Sequence, residues 1–281
     1  MILYPNCKIN LGLRVLRKRE DGYHDLETIF VPIYGLHDEL EVEIIESKVK
    51  SQEIHFRQEG IAVDCPAEDN LIVRCYRQMA ARYPQIGSVS VRFRKNIPFG
   101  AGLGGGSSDA AHMAIALNEI FHLGLSQEQL AEEVRPLGAD CPFFIYNVPC
   151  FATGIGEKLT PISLNLDGLR IILIKPNEGV STKEAYSGIV LHPEAEGRIL
   201  QGDYTNDFEE SVFPKHPTIA HIKKRLLEVG AVFASMSGSG STVYGLFQND
   251  AESSTNAQLR MLEKEFASMV LLNDTLGQRK A

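Results

Sequence analysis

The sequence from residue 98 to residue 111 runs PFGAGLGGGSSDAA, and it is the stretch of the chain least like ordinary globular sequence. Five of the seven residues from Gly100 to Gly106 are glycine. Glycine loses more conformational entropy on ordering than any other residue, so this density predicts a backbone at positive φ or in close contact with a ligand. Ser107, Ser108 and Asp109 then predict a capped helix start, because helix formers follow. A loop that empties into a helix N-terminus predicts bound phosphate, and we take a nucleotide phosphate as the working hypothesis.

Three common glycine-rich loops do not fit this stretch. Gly100, Gly102 and Gly105 match the dinucleotide pattern G-x-G-x-x-G, but helix and loop are predicted where an acidic residue should end a second strand. No Gly-Lys-Ser/Thr closes the glycine run, as a Walker A loop requires, and the partner motifs of protein kinases are missing from the sequence. A flexible linker or a packing turn is the remaining alternative. The predicted helix start directly after the glycines makes this alternative less favourable.

Composition excludes several classes of protein. A chain of 281 residues is long enough for one or two domains with a sizeable core. Its net charge of -8 disfavours sequence-independent binding to nucleic acid or to an anionic membrane, which both need clustered lysine and arginine. Five scattered cysteines without a C-x-x-C pair fit a reducing compartment, and no apolar run is long enough for a membrane span or placed for a signal peptide. We therefore expect a cytoplasmic protein with a small-molecule partner. The oligomeric state stays open.

Hydrophobic periodicity predicts an α+β chain. Strands are predicted at 8–15, 26–31, 40–44 and 88–95, around 151, and at 170–175, 231–235 and 242–247. Helices are predicted at 69–83, with Asp69 as the N-cap, at 107–121, after a Ser126/Gln129 capping box, and at 182–189, 217–229 and 251–266. These elements alternate without a regular βαβ rhythm, which favours two lobes over a doubly wound sheet. The polar segment 192–207 is interpreted as a boundary or an insertion.

Four motifs together resemble one known family, the GHMP kinases. The stretch Pro98-x-x-x-Gly102-Leu103-Gly104-x-x-Ser107-Ser108-x-Ala110-Ala111 resembles their ATP phosphate loop. The others are Pro5-x-x-Lys8-x-Asn10-Leu11, Asp21-Gly22-Tyr23-His24 and Gly138-Ala139-Asp140-x-Pro142-Phe143-Phe144, and they are similar to a branch whose acceptor alcohol carries cytidine diphosphate. The resemblance implies the two-lobed GHMP kinase fold. It places a ribosomal protein S5 domain 2-like ATP-binding lobe at 1–150, a ferredoxin-like lobe at 151–281, and the active site in the cleft between them.

The resemblance implies that Lys8 and Asp140 are the catalytic residues. Asp140 would accept the proton of the substrate hydroxyl, while Lys8 would orient that hydroxyl and the γ-phosphate. An adjacent ammonium lowers the pKa of a carboxylate and weakens it as a base, but phosphoryl transfer tolerates this because its catalysis is mostly positioning and charge stabilisation. Structural interpretations remain for both residues. Lys8 fits an exposed strand lysine, and Asp140 fits a turn or a helix cap before Pro142.

The resemblance also implies an ATP site. Its residues are Asn70, Leu71 and Lys95 at the adenine, and Pro98, Phe99, Gly100, Ala101, Gly102, Leu103, Gly104, Gly105, Gly106, Ser107 and Ser108 at the phosphates. Asn70 also fits a plain helix start, and Lys95 a plain strand end. The turn Ser237-Gly238-Ser239-Gly240 corresponds to the third motif of the family, a glycine turn that lets backbone approach the phosphates and the loop 98–108. It also fits a hairpin turn.

For the acceptor, the expected residues are Asn10, Tyr23, His24, Thr182 and Tyr186. A cytosine ring offers a π face and a hydrogen-bonding edge, which aromatic side chains and a few polar groups recognise. Tyr23, His24 and Tyr186 would supply these, with Asn10 and Thr182 on the polar part of the substrate. A buried tyrosine and a helix-capping threonine are the competing interpretations.

Magnesium is expected with ATP, because kinases use it to bridge the β- and γ-phosphate oxygens. The sequence contains no recognisable carboxylate cage. Ser107, Ser108 and Asp109 are candidates beside solvent, so the metal ligands stay unknown.

Overall fold

The structure is a computed structural model that describes residues 1–46, 52–62, 65–248, 260–267 and 269–276. Contacts divide the chain into two compact units, and each unit is assembled from separate segments. Unit 1 is made of Met1–Cys7, Leu36–Phe99 and Gly104–Val148. Unit 2 is made of Lys8–Gly35, Gly100–Leu103 and Pro149–Ala281.

Unit 1 contains a four-stranded sheet with the order β1-β4-β6-β5. Its strands are β1 (Ile2–Leu3), β4 (Glu39–Ile44), β5 (Ile54–Gly60) and β6 (Val89–Lys95). β4 pairs antiparallel with β6, and β5 pairs parallel with β6. Val89, Val91 and Phe93 are buried on alternate positions of β6, as the period of two predicts. This strand leads directly into the glycine loop.

The helices of unit 1 are α1 (Leu71–Arg82), α2 (Gly105–Ile120), α3 (Gln127–Val134) and α4 (Cys141–Tyr146). α2 packs against α1, α3 and α4. Its alanines at 110, 111, 114 and 116 are buried, and these small side chains let neighbouring helices approach closely. The predicted capping box is confirmed at the start of α3, where Ser126 and Gln129 bond reciprocally.

Unit 2 contains two further four-stranded sheets. The first holds β2 (Asn6–Lys18), β3 (His24–His37), β7 (Cys150–Thr153) and β8 (Lys158–Pro161), in the order β2-β3-β7-β8. The second holds β9 (Leu169–Ile174), β10 (Phe233–Met236), β11 (Val243–Gln248) and β12 (Val270–Thr275), in the order β10-β11-β9-β12. Helices are α5 (Thr182–Tyr186), α6 (Phe208–Val212), α7 (Pro217–Glu228) and α8 at 260–265. Ile172, Ile222 and Leu226 belong to one buried apolar cluster that joins the second sheet to α7.

The two units divide the chain differently from the predicted lobes 1–150 and 151–281. Antiparallel pairing joins Thr28–Phe30 of β3 to Cys150–Ala152 of β7, so early strands complete a sheet with later ones. A boundary at one position cannot represent such interleaved segments. The predicted α+β class is confirmed, because the sheets are antiparallel or mixed and the helices are not arranged in βαβ repeats.

The polar segment 192–207 is integrated into unit 2 and is not a separate insertion. Leu13 donates its N–H to the carbonyl of Thr205, and Asp207 returns a bond to the carbonyl of Leu13, both at 2.9 Å. Gly12 explains the close approach, since a Cβ at that position would lie 2.8 Å from the Cα of Tyr204. The segment therefore pairs with β2 through backbone bonds that its polar side chains do not reveal.

Several elements differ from the prediction, and β1, β8, α4 and α6 were not predicted. β5 and β12 were not predicted, because both strands are short and carry polar side chains at most positions outside Ile54, Phe56 and 270–272. β2 is buried on both faces from Asn6 to Leu16, although its alternation predicts a half-buried strand. Of the helix predicted at 251–266, residues 260–265 are helical, and 251–259 lie outside the described residues.

Among the described residues, no helix combines the length and the apolar character that crossing a membrane requires.

Substitution can test which residue caps α1. Asp69 was expected to cap this helix, but Asn70 does so, accepting the N–H of Ile72 at 2.9 Å. Asn70→Ala should lower the free energy of unfolding by about 1 kcal/mol, while Asp69→Ala should change it by less than about 0.5 kcal/mol. Urea denaturation of both variants measures this. Equal losses would contradict the assigned cap.

Candidate active site

The glycine loop has the backbone conformation that its composition predicts. Gly100, Gly102 and Gly104 have φ values of 63°, 75° and 70°. These lie in the left-handed region, which residues with a side chain rarely adopt. A Cβ on Gly102 would also lie 2.0 Å from the carbonyl oxygen of Ser237, and one on Gly105 would lie 3.0 Å from Nζ of Lys95. The loop therefore needs glycine for its backbone conformation, as predicted, and also for close approach to other parts of the protein. The predicted contact with a ligand stays a prediction.

The loop ends in α2, which begins two residues earlier than predicted. Its N-cap is Gly104, with no side-chain hydrogen bond, so Ser107, Ser108 and Asp109 lie inside the first turns and do not cap the helix. Ser108 donates its N–H to the carbonyl of Gly104 at 2.9 Å. The N–H groups from Gly104 to Ser107 have no acceptor within the helix, by helix geometry. A helix of this length also carries a partial positive charge at that end, so the loop exit suits a phosphate.

Within unit 1, the turn before α4 lies beside this helix start. A Cβ on Gly138 would lie 3.6 Å from Oγ of Ser107 and 3.3 Å from Sγ of Cys141. Asp140 occupies the N-cap position of α4, but its side chain makes no capping hydrogen bond. Burial raises the pKa of Cys141 to about 12, which keeps this thiol protonated and unreactive. The motif that carries Asp140 and the start of α2 are therefore neighbours in space.

In unit 2, Lys8 is held against the glycine loop. Its side chain is 4% exposed, which excludes the exposed strand lysine considered above. Its Nζ donates to Oδ1 of Asn10 at 2.6 Å and to the carbonyl of Gly102 at 3.2 Å. Nζ also lies 5.0 Å from the centre of the Phe30 ring. Ser237 donates its hydroxyl to the same carbonyl at 2.9 Å, so the Ser-Gly-Ser-Gly turn meets the loop as expected.

Asn10 is fully engaged by its neighbours in unit 2. Thr28 donates its hydroxyl to the carbonyl of Gly12 at 2.6 Å, and its oxygen accepts Nδ2 of Asn10 at 2.9 Å. Since a carbonyl only accepts, the Thr28 hydroxyl must donate to it, and the amide of Asn10 is left to point its oxygen at Lys8. The direct effect of Asn10 is thus to orient the lysine. Its predicted bond to the substrate stays a prediction.

Lys95 lies at the end of β6 as the centre of a buried charge cluster. Its Nζ contacts Oδ2 of Asp38 at 2.5 Å and Oδ2 of Asp109 at 2.8 Å. Burial lowers the pKa of Lys95, but the two carboxylates outweigh burial and leave that pKa raised. Burial also raises the pKa of Asp109 well above its ordinary value, against the opposing effect of Lys95. The predicted contact of Lys95 with adenine stays a prediction, and its ammonium is occupied by carboxylates.

Asp109 does not fit the magnesium site considered from the sequence, because its carboxylate is buried beside Lys95. Ser108 is buried as well, with its hydroxyl 3.4 Å from Nδ1 of His112. Ser107 is the candidate that remains half-exposed. Throughout the described part of the chain, no group of three or more His, Cys, Asp or Glu side chains is arranged to hold a metal ion.

The other predicted nucleotide residues lie near the helix starts of unit 1. Leu71 opens α1, and its Cδ1 lies 3.6 Å from the position of a Cβ on Gly106. Asn70 precedes it and caps the helix. Phe99 is 73% exposed, which leaves an aromatic ring at the entry of the loop.

Two of the three predicted cytosine-binding aromatics meet in unit 2. The rings of His24 and Tyr186 stack with centroids 4.6 Å apart and an interplanar angle of 20°. Tyr186 is supported on its edge by Phe208, at 4.8 Å. Tyr23 is 60% exposed and lies in the turn after Asp21. Thr182 is exposed at the start of α5, where Ser181 and not Thr182 forms the cap.

A histidine that the sequence did not single out supports α5. His216 contacts Glu178 at 2.8 Å through Nδ1 and Glu184 at 3.0 Å through Nε2. The bond to Glu178, together with Glu184, raises the pKa of His216 above its ordinary value despite burial. His216, Asp38 and Thr28 were all missed, because each is a common residue type whose partners are remote in sequence and belong to no local motif.

Both halves of the chain match family models of the GHMP kinases. Residues 70–148 match the N-terminal domain model, and residues 194–265 match the C-terminal model. The chain is 48% identical over 257 residues to the 4-diphosphocytidyl-2-C-methyl-D-erythritol kinase of Bacteroides thetaiotaomicron, covering 88% of this chain and 92% of the relative. It is 46% identical to the enzyme of that name from Azobacteroides pseudotrichonymphae, covering 88% of this chain and 94% of the relative.

Solved structures agree with the predicted fold. The crystal structure of a 4-(cytidine 5'-diphospho)-2C-methyl-D-erythritol kinase is similar with a TM-score of 0.80 and 31% identity, over 99% of this chain and 100% of the other. Homoserine kinase from Cytophaga hutchinsonii shares the fold at a TM-score of 0.65 and 15% identity, covering 88% of this chain and 90% of that one. The GHMP kinase fold expected from the motifs is confirmed.

The close approach at Gly102 predicts a larger penalty there than at Gly100. Both glycines have positive φ, which costs a residue with a side chain about 1–2 kcal/mol, but a Cβ at Gly100 meets nothing within 4 Å. Gly102→Ala should therefore lower the free energy of unfolding by at least about 2 kcal/mol more than Gly100→Ala, because the backbone of Ser237 must move. Urea denaturation compares the two. Equal penalties would contradict the contact.

The ion pairs of His216 predict a stability that depends on pH. A pKa raised in the folded state stabilises the fold fully below the unfolded pKa, and that contribution is lost as the pH rises through the folded value. The difference in Tm between wild type and His216→Gln should therefore be largest near pH 6 and shrink above it. Replacement of the exposed His55 by Gln is the control. A constant difference from pH 6 to 9 would contradict the ionic role.

Proposed function

The chain belongs to the GHMP kinases, and we propose that it transfers the γ-phosphoryl group of ATP to the 2-hydroxyl of 4-diphosphocytidyl-2-C-methyl-D-erythritol. This reaction is a step in the non-mevalonate route to isoprenoid precursors. The curated relatives supply the substrate, since their names state it at 46–48% identity. The observation in this chain that carries the proposal is the buried Lys8 ammonium, 3.2 Å from the carbonyl of Gly102 in the phosphate loop.

The glycine loop and the start of α2 fit the phosphates of ATP. Backbone N–H groups from Gly104 to Ser107 converge there, and glycine conformations leave room for phosphate oxygens. We assign Pro98 to Ser108 to this cradle, with Asn70 and Leu71 at the adenine. Magnesium bound with ATP would neutralise the negative charge that develops during phosphoryl transfer. Among the candidates from the sequence, Ser107 would be the one to hold it, because its side chain stays half-exposed.

Lys8 would stabilise the negative charge that develops on the transferred phosphoryl group. Asn10 and the carbonyl of Gly102 orient its ammonium at 2.6 Å and 3.2 Å, so little reorganisation is needed during the reaction. A preorganised charge in a buried site acts more strongly than one in water.

Asp140 would receive the proton of the acceptor hydroxyl. In this step, the hydroxyl oxygen forms a bond to the γ-phosphorus. The bond from the γ-phosphorus to the β-phosphate oxygen breaks, and ADP leaves with the electron pair of that bond. The position of Asp140 supports the assignment, because the carboxylate is half-buried in the turn before α4 and that turn lies beside Ser107 at the start of α2. The dipole of this six-residue helix contributes little to the electrostatics at Asp140.

The cytidine end of the acceptor would be bound in unit 2. Tyr186 is anchored by Phe208 and presents a ring beside His24, which offers both a flat face and hydrogen-bonding nitrogens. The cytosine would stack on one of these two rings in place of the other. The exposed Tyr23 would then cover the second face of the cytosine. Asn10 and Thr182 are assigned to the polar part of the acceptor. We also propose a cytoplasmic location, supported by five scattered cysteines without a C-x-x-C pair.

An ADP-release assay with purified full-length protein tests the proposal. Turnover is expected with 4-diphosphocytidyl-2-C-methyl-D-erythritol and not with homoserine or mevalonate. Turnover with homoserine alone would refute the acceptor but keep a kinase of this family. No ATP turnover with any of these acceptors would refute the proposed reaction.

Asp140→Asn is the matching variant. It should lower kcat by about 10²- to 10⁴-fold with little change in the KM for ATP, because it removes the proton acceptor and keeps the shape. Asp69→Asn, an exposed carboxylate of the same unit, should leave both constants unchanged. Full kcat in Asp140→Asn would contradict the catalytic assignment.

A further inference from the structure

We infer that the buried cluster of Asp38, Lys95 and Asp109, defined here as the loop anchor, positions the phosphate-binding loop for ATP. The inference rests on the proposed ATP site and deepens it. None of the three is assigned to a step of the reaction. Their proposed effect is to fix the two ends of residues 98–104, so that the N–H groups of α2 are already in place when the nucleotide binds.

Asp38 holds the chain where it enters the loop. Its Oδ1 accepts the N–H of Asn96 at 2.6 Å and the N–H of Ile97 at 2.8 Å, the two residues directly before Pro98. Asn96 bonds back through its side chain to the carbonyl of His37 at 3.0 Å. Asp38 is 0% exposed, so these bonds do not compete with water. One carboxylate oxygen therefore fixes the exit of β6.

Lys95 connects this entry to the first turns of α2. The second oxygen of Asp38 accepts its Nζ at 2.5 Å, and the same Nζ donates to Oδ2 of Asp109 at 2.8 Å. Asp109 is the fifth residue of α2, one turn beyond the N–H groups assigned to phosphate. A Cβ on Gly105 would lie 3.0 Å from Nζ, so the helix start also packs directly on the ammonium. One cation thus joins both ends of the loop.

The arrangement has features that plain structural packing does not require. Two buried carboxylates share one buried ammonium, and Oδ1 of Asp109 has no hydrogen-bond partner. An orphaned buried oxygen beside an excess of negative charge is costly, and hydrophobic side chains of similar volume would fill the space at lower cost. What the charges add is directionality, since each bond aligns backbone on one side of the loop.

Equilibrium binding of ATP without acceptor, measured by calorimetry on full-length protein, tests the loop anchor. Asp109→Asn keeps the shape and leaves Asp38 to pair with Lys95. It should weaken ATP binding about tenfold, because the helix start loses one charged bond and its position loosens. Asp38→Asn should weaken ATP binding further, since Lys95 and both N–H groups lose their charged acceptor.

Glu133→Gln is the matched control. Glu133 is a buried carboxylate of the same unit, with Oε1 bonded to Arg82 at 2.6 Å and Oε2 without a partner. Its loss should lower the Tm while ATP binding stays within about twofold, because the pair joins α1 to α3 and neither residue belongs to the loop or to α2.

The outcomes separate the possible accounts. Weaker ATP binding in Asp109→Asn with an unchanged KM for the acceptor supports the loop anchor. Equal effects of Asp109→Asn and Glu133→Gln on ATP binding, or a lowered Tm with unchanged ATP binding in Asp109→Asn, would overturn it and leave a structural role. If Asp38→Asn does not fold, Asp109→Asn alone decides. Absence of ATP binding by the wild type would instead refute the proposed ATP site itself.

Discussion

The carbonyl oxygen of Gly102 accepts hydrogen bonds from two distant parts of the sequence. Lys8 donates to it from β2, and Ser237 donates to it from the turn after β10. The contact is possible only because residue 102 is glycine, since a Cβ there would lie 2.0 Å from the carbonyl oxygen of Ser237. This constraint links the composition of the loop to the position of the lysine that we assign to catalysis.

Two buried lysines illustrate how contacts decide what a charge can do. Asp38 and Asp109 surround Lys95, and their negative charge more than balances its ammonium. The amide of Asn10 and the carbonyl of Gly102 are neutral oxygens, so they orient Lys8 without cancelling its charge. Lys95 therefore suits the organisation of backbone, and Lys8 suits the stabilisation of a phosphoryl group. Their local sequences, with Lys8 inside a strand and Lys95 at a strand end, do not reveal these uses.

Local patterns were sufficient for much of the fold and for part of the site. Glycine density predicted positive φ at residues 100, 102 and 104, and alternation predicted the strands that carry Lys8 and Lys95. The motifs indicated the correct family because several short patterns occur in a fixed order. These features depend on residues near one another in sequence, which periodicity and turn chemistry can represent.

Long-range pairing was not predictable in the same way. Asp38 meets Lys95 across 57 positions, and Thr28 meets Asn10 across neighbouring strands, with nothing in either local sequence to mark the partner. The division into units differs from a boundary near residue 150 for the same reason, because β3 pairs with β7. The start of α2 also differs from the prediction. Gly104 is the N-cap through its backbone conformation, and the serines that follow do not cap the helix.

A crystal structure with an unreactive ATP analogue and cytidine diphosphate tests the account most directly. Phosphate oxygens are expected within hydrogen-bond distance of the N–H groups from Gly104 to Ser107, and the cytosine ring is expected to stack against Tyr186. Phosphates bound away from the start of α2, with these N–H groups facing only water, would contradict it.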